Sequence, residues 1–156
     1  MRKASLSVCM ACLAGLAAVP AGAANTSTTF TVSATVVATC SVSASNLAFG
    51  SYTGTGNTDQ TTTVTVTCGN GTSYSVALND GANASGSTRR MANGSNYLAY
   101  ELYSDSGRTT VWNAAAPVAG TGNGAAQTLT VYGRIPTGQS VPAGAYTDTV
   151  QVTVTY

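Results

Sequence analysis

Charge is what this sequence most conspicuously lacks. Only 7% of its 156 residues are Asp, Glu, Lys or Arg, against about 25% in an ordinary soluble protein. Six Lys and Arg stand against five Asp and Glu, so there is no basic footprint to offset nucleic-acid phosphates. Histidine is absent, which removes the usual general base and the commonest transition-metal ligand. No apolar run reaches the roughly 20 residues of a membrane-spanning helix, and no convincing amphipathic helix pattern occurs. There is no Gly-x-Ser-x-Gly elbow. The stretch GTGNG (Gly120–Gly124) lacks the lysine and the strand–helix setting of a phosphate loop and reads as a turn. The acids are scattered. Glu101 and Asp105 form the one close pair, and in strand or turn they read as solvated. A glycosidase would need two carboxyls about 5–10 Å apart, and nothing in the spacing favours one. Arg89-Arg90 reads as an isolated basic pair in a solvated loop, and Asp148 as a hydrogen-bonding residue at a turn or strand start. The expectation is a non-enzyme with no cofactor and no metal.

What is present divides into a leader and a β-rich body. Arg2 and Lys3 precede the apolar run Leu6–Pro20 (LSVCMACLAGLAAVP), and Ala21-Gly22-Ala23 fits a small-x-small cleavage rule. Residues 1–24 are therefore expected to be a secretory signal peptide, with cleavage after Ala23 or Ala24. Lys3 is the only lysine, so the exported chain would have none and no lysine-based isopeptide or sortase linkage. Its charges would be Arg89, Arg90, Arg108 and Arg134 against Asp59, Asp80, Glu101, Asp105 and Asp148. Cys9 and Cys12 leave with the leader. Cys40 and Cys68 remain, and a pair in an exported chain reads as a disulfide. Zinc would need two further ligands that do not exist. By the loop-entropy argument the bridge stabilises the fold by roughly 3–4 kcal/mol.

The body reads as short strands between Gly, Asn and Ser turns. Phe30, Val32, Ala34 and Val36 alternate with Thr31, Ser33 and Thr35, a period of two within the run Thr28–Val37. Thr61–Cys68 alternates with Val64, Val66 and Cys68 on one face. Tyr74, Val76 and Leu78 lead into Asn79-Asp80-Gly81, a turn signal. Tyr97–Tyr103, a run begun or ended by Val111-Trp112, Thr128–Ile135 and Thr147–Tyr156 follow. In the last, Val150, Val152, Val154 and Tyr156 share a face. Seven or so strands without a helix imply an all-β sandwich. A strand at each end fits a plain closed sandwich. It equally fits a subunit that lends one strand and lacks another.

Four blocks carry a family resemblance: FTVSATVVATC (Phe30–Cys40), TVTVTC (Thr63–Cys68), YLAYELYSDSGRTTVW (Tyr97–Trp112) and YGRIPTGQSVPAGAYTDTVQVTVTY (Tyr132–Tyr156). Together they resemble the archaic, Csu-type chaperone–usher pilins, also called spore coat protein U domains. The resemblance implies an immunoglobulin-like β-sandwich that is incomplete and is completed by a donor strand from a partner. It implies residues 25–38 as the donor extension and residues 39–156 as the pilin domain. The donor residues would be Phe30, Val32, Ala34 and Val36. The C-terminal strand with Val150, Val152, Val154 and Tyr156 would face a periplasmic chaperone. An outer-membrane usher would then exchange the chaperone for copies of the chain or sister pilins, head to tail, in a cell-surface pilus serving adhesion and biofilm formation. Two alternatives stay open at this point. One is a secreted monomeric carbohydrate-binding sandwich using Trp112 and tyrosines as stacking platforms. The other is a spore or cyst coat protein of the same fold.

Overall fold

The computed structural model describes residues 22–156, so most of the expected leader lies outside the described residues. The chain divides between Thr35 and Val36 into two units. In the first, residues 22–35 form no helix or strand, and Phe30 and Val32 are 85% and 82% exposed. The second unit holds eight strands: β1 (Cys40–Ala44), β2 (Thr58–Cys68), β3 (Ser73–Leu78), β4 (Arg89–Asn93), β5 (Asn96–Tyr103), β6 (Val118–Thr121), β7 (Ala126–Ile135) and β8 (Val152–Thr155).

Alternation decides which way each strand faces. On β2, Val64, Val66 and Cys68 are buried while Thr63, Thr65 and Thr67 lie on the opposite face. On β3, Tyr74, Val76 and Leu78 are buried, and on β5 Leu98, Tyr100 and Leu102. The strands assemble into a five-stranded sheet, β1-β2-β7-β5-β4, and a three-stranded sheet, β6-β3-β8. All their pairings are antiparallel. The two layers make an all-β, immunoglobulin-like sandwich. Val131 and Ile135 of β7 join the same core, and Trp112 is buried to 1% exposure with its indole N–H donating to the Val76 carbonyl at 2.8 Å. Each fully buried Val or Leu stabilises by about 1.5–3 kcal/mol.

The three-stranded sheet is shorter than the layer it covers. The segment after β1 fills part of the difference. A Cβ on Gly133 would lie 2.6 Å from Leu47 Cδ2 and 2.8 Å from Phe49 Cζ, so the glycine in β7 is what lets Leu47 and Phe49 lie flat on the core. Cys40 and Cys68 are joined across β1 and β2, with Cα atoms 4.2 Å apart and a sequence separation of 28. They are directly paired in the ladder, at a position where Cα atoms approach most closely.

Several elements differ from the sequence reading. Val111-Trp112 contributes only an isolated bridge, Tyr103 to Val111, because Trp112 turns inward to plug the core. The strands β1, β4 and β6 were not anticipated; all are four or five residues long, too short for a periodicity to declare itself. The C-terminal run is regular only from Val152. Before that, the chain is tied by single bonds, Asn79 N–H to Gln151 O and Ala82 N–H to Thr149 O. The alternating run Thr28–Val37 forms no strand in the isolated chain. A strand needs a neighbour for its N–H and C=O groups.

Candidate functional site

The unusual part of the sandwich is the margin where β1 and β8 meet. Each is the last strand of its sheet. Successive residues of a strand turn their backbone N–H and C=O to opposite sides. On β1 the odd residues face β2, as Gly69 N–H to Thr39 O and Ser45 N–H to Thr63 O show. The N–H and C=O of Cys40, Val42 and Ala44 therefore point to the free edge. On the C-terminal strand, Thr147, Thr149 and Gln151 bond to Ala92, Ala82 and Asn79, and β8 pairs with β3 alone. The N–H and C=O of Val150, Val152 and Val154 therefore point to the other free edge. Among the described residues no strand pairs with either edge.

Beneath these edges lies a cavity of about 620 Å³. It is walled by Ala44 to Leu47 on one side and by Tyr146 to Val150 and Val152 on the other. Its floor is core: Val64, Leu78, Leu102 and Val131. A second cavity of about 930 Å³ continues it past Leu47, Phe49, Met91 and Tyr146 toward the loops around Tyr52 and Pro142. Val42, on the core-facing side of β1 opposite the fully buried Val66, is 40% exposed. Val150, Val152 and Val154 are only partly buried. The floor residues are at most 4% exposed, but the margin above them, at Val42 and the C-terminal valines, is only half covered and is bordered by two unpaired backbone edges. Some Cα atoms of β1 and β8 lie within 8 Å of one another, whereas a strand seated between two others needs them roughly 10 Å apart. The groove is wide at the Leu47–Tyr146 end and pinched at the β1–β8 end.

The residues singled out by sequence fall into three groups. Val150, Val152 and Val154 form one wall of this line, while Tyr156 is 60% exposed. Phe30, Val32, Ala34 and Val36 are exposed and lie in no strand. Cys40 and Cys68 tie the β1 wall to β2. Sequence reasoning missed the facing wall. The signal was the spacing Cys40, Val42, Ala44 with Ser41 and Ser43 between them, overshadowed by the longer alternation just before it. It also missed Leu47 and Phe49, which carry no period at all.

Polar residues frame the groove, and the carboxylate among them, Asp148, is engaged in hydrogen bonds. Asp148 accepts from the Asn83 N–H and Nδ2 at 3.0 Å each, and from the Tyr100 hydroxyl at 2.7 Å. It is a hydrogen-bonding residue ahead of β8, as its sequence context suggested. Burial, and then the Asp148 carboxylate, push the Tyr100 hydroxyl far above the usual tyrosine range. Asp105 closes a turn, accepting from Thr109 N–H at 3.0 Å and Thr110 N–H at 2.6 Å, and these bonds hold its carboxyl below the usual carboxylate range. Among the described residues there is no group of three His, Cys, Asp or Glu able to hold a metal ion.

Two sequence expectations are overturned here. The basic pair is not a solvated loop. Arg89 opens β4 and is 1% exposed. It donates to Glu101, to the Asn79 carbonyl at 2.8 Å and to the Trp112 carbonyl at 2.9 Å. Glu101 is correspondingly paired rather than solvated. A planar guanidinium can satisfy several carbonyls and a carboxylate at once, which is why an arginine is tolerated at the end of β3 where the two layers meet. Arg90 lies 4.1 Å from the Tyr97 ring centre and donates to the Asn83 carbonyl. The second correction concerns Trp112. Buried and bonded to Val76, it is no stacking platform for a sugar.

Known proteins are similar to this chain in sequence or in fold. Protein U of Myxococcus xanthus is 38% identical over 98 residues, covering 60% of this chain and 52% of that protein. The chain thus matches about half the length of that curated relative. Among solved structures, a chain of the CsuC–CsuE chaperone–tip adhesion subunit pre-assembly complex, from archaic chaperone-usher Csu pili of Acinetobacter baumannii, superposes with a TM-score of 0.62 and 25% identity. The match covers 78% of this chain and 40% of that one. The Spore Coat Protein U domain model matches residues 26–153, a span that takes in the exposed alternating segment, the disulfide and both walls of the groove up to Val152, and on that match the chain belongs to the Spore Coat Protein U domain family.

Proposed function

We propose that this protein is a structural subunit of a surface pilus assembled by the chaperone–usher pathway. The segment Phe30–Val36 of one copy fills the groove between β1 and β8 of the next. The observation that carries the reading is the pairing of deficits. One part of the chain exposes four alternating apolar side chains with no backbone partner. Another has a half-covered apolar margin, Val42 on one side and Val150, Val152 and Val154 on the other, with two backbone edges that lack one. A strand of seven residues spans roughly 20 Å. Laid in the groove, with β1 and β8 parting to the roughly 10 Å that a seated strand needs, it would satisfy both edges and place side chains over Val64, Leu78, Leu102 and Val131. Burial of Phe30, Val32 and Val36 stabilises by about 1.5–3 kcal/mol each. Ala34 would meet the shallowest part. The contact is head-to-tail and does not close on itself, so it propagates as a filament. It also removes an exposed apolar edge that would otherwise aggregate.

Before assembly the same edges need cover, and a chaperone strand supplies it along the C-terminal strand at Val150, Val152 and Val154. The solved chaperone–subunit complex that this chain resembles supports such a partner. An outer-membrane usher and a role in adhesion and biofilm formation belong to the same reading. The coat-protein alternative uses the same groove and differs in where the polymer ends up.

Val32→Asp tests the proposal. Expressed with its chaperone and usher, the variant is expected to form a normal chaperone complex and no surface fibres by electron microscopy. Normal fibres from the variant would overturn the donor assignment, and a coat layer without fibres from the unsubstituted chain would favour the alternative.

A further inference from the structure

We infer that the Cys40–Cys68 disulfide is the route by which tension in the filament enters the subunit, sparing β1 and with it the wall of the groove that holds the next copy. The inference rests on the polymer reading above and concerns how the same groove stays shut under load.

Tension on the extension arrives at Thr39 and Cys40, the first residues held by the sandwich. Cys40 opens β1, a strand of five residues at the edge of its sheet. Without a covalent tie, the pull falls first on the Gly69 N–H to Thr39 O bond, then on the next pair, one rung at a time. Peeling β1 would do more than loosen an edge. β1 is one wall of the groove, so its loss would release the neighbour's strand on the other side. The two contacts of a subunit would then fail together.

The disulfide stands at the point of entry. It joins Cys40 to Cys68, the last residue of β2. β2 is eleven residues long and lies between β1 and β7, with register partners on β7 from Thr58 to Thr67. Force crossing the sulfur bridge is spread along that whole ladder and onto the buried Val64 and Val66. A bridge placed for loop closure alone gains its stabilisation wherever its ends lie. This one lies on the first strand residue after the extension.

The test is to pull single exported chains in an optical trap, with the leader removed, and to do so from two attachment points. One handle is fixed after Tyr156. The other is placed before Asn25, or on a tag inserted at Gly56 in the loop ahead of β2, where a side chain meets open space. Oxidised chains are compared with chains reduced in place, and with Cys40→Ser/Cys68→Ser where that variant folds. With the handle before Asn25, reduction is expected to add an early low-force event that frees residues 40–57, roughly 60 Å of chain at about 3.5 Å per residue. With the handle at Gly56, reduction is expected to leave the first rupture force unchanged. A drop of equal size from both attachment points would overturn the inference, because it would show only general destabilisation. So would no drop from either. Failure of the polymer reading is scored separately by the fibres of Val32→Asp.

Discussion

β2 has two neighbours, and they are built to different standards. On the β7 side the ladder runs for ten pairs, from Thr58–Ile135 to Thr67–Ala126, above buried Val64, Val66 and Val131. On the β1 side it runs for five, and β1's remaining edge faces nothing. The β2–β7 pair is finished within the chain, whereas β1 and β8 are each finished on one side only. A fold of this kind separates two properties that usually travel together. Residues at the centre set whether the domain folds. On the proposed reading, residues at the margin set whether it assembles.

Substitutions can sharpen or break that separation. The largest effect is expected at Arg89, which belongs wholly to the centre. Arg89→Ala leaves Glu101 and three carbonyls without their partner, and loss of one member of a buried pair costs about 3–5 kcal/mol. Urea denaturation of the purified domain should show it. Gly133→Val comes next and spans both classes. Its side chain would displace Leu47 and Phe49, costing about 1–3 kcal/mol by overpacking while also deforming the groove, so both the thermal midpoint and chaperone capture should fall. Val42→Ser belongs to the margin. Its effect on folding should stay within about 0.5 kcal/mol, as for most exposed sites, while fibre yield drops. A large loss of stability there would break the comparison.

The smallest effect is expected at Asp59. Arg134 donates two bonds of 2.7 Å to its carboxylate. That bonding holds the Asp59 carboxyl below its ordinary value. A depressed carboxyl contributes stability above its unfolded-state pKa and loses it as pH falls through the folded one. Asp59→Asn should therefore be slightly less stable than the parent at neutral pH, and the two should converge under acid. The pair is exposed on the outer face, so the difference should be small and should shrink with salt.

How much of this was legible beforehand depends on length and on reach. β2, β3, β5 and β7 each carry six or more residues of alternation, and the sequence placed them within a few residues. The short strands at the margins were overlooked because four or five residues give only two or three inward positions. Arg89 misled for a different reason. A pair of arginines between turns looks solvated, and only the meeting of Leu78, Asn79, Glu101 and Trp112 in space makes one of them internal. The groove lay half in view: its C-terminal wall follows from Val150, Val152 and Val154. Its floor consists of ordinary core residues, and no property of Val64 or Leu102 announces that the edges above them are unpaired.

The placement of the arginines has a consequence for survival outside a cell. Enzymes that cut after basic residues must draw several residues around the cut into an extended, unpaired stretch. Among the described residues there is no lysine. Arg89 and Arg90 lie in β4 and Arg134 lies in β7, and Arg108 sits in a tight turn with φ of 56° and its side chain donating to the Gly133 carbonyl. Digestion by a trypsin-like protease would then have to wait for the sandwich to open. The turnover of the chain would be set by the rate at which its sandwich unfolds rather than by the protease around it.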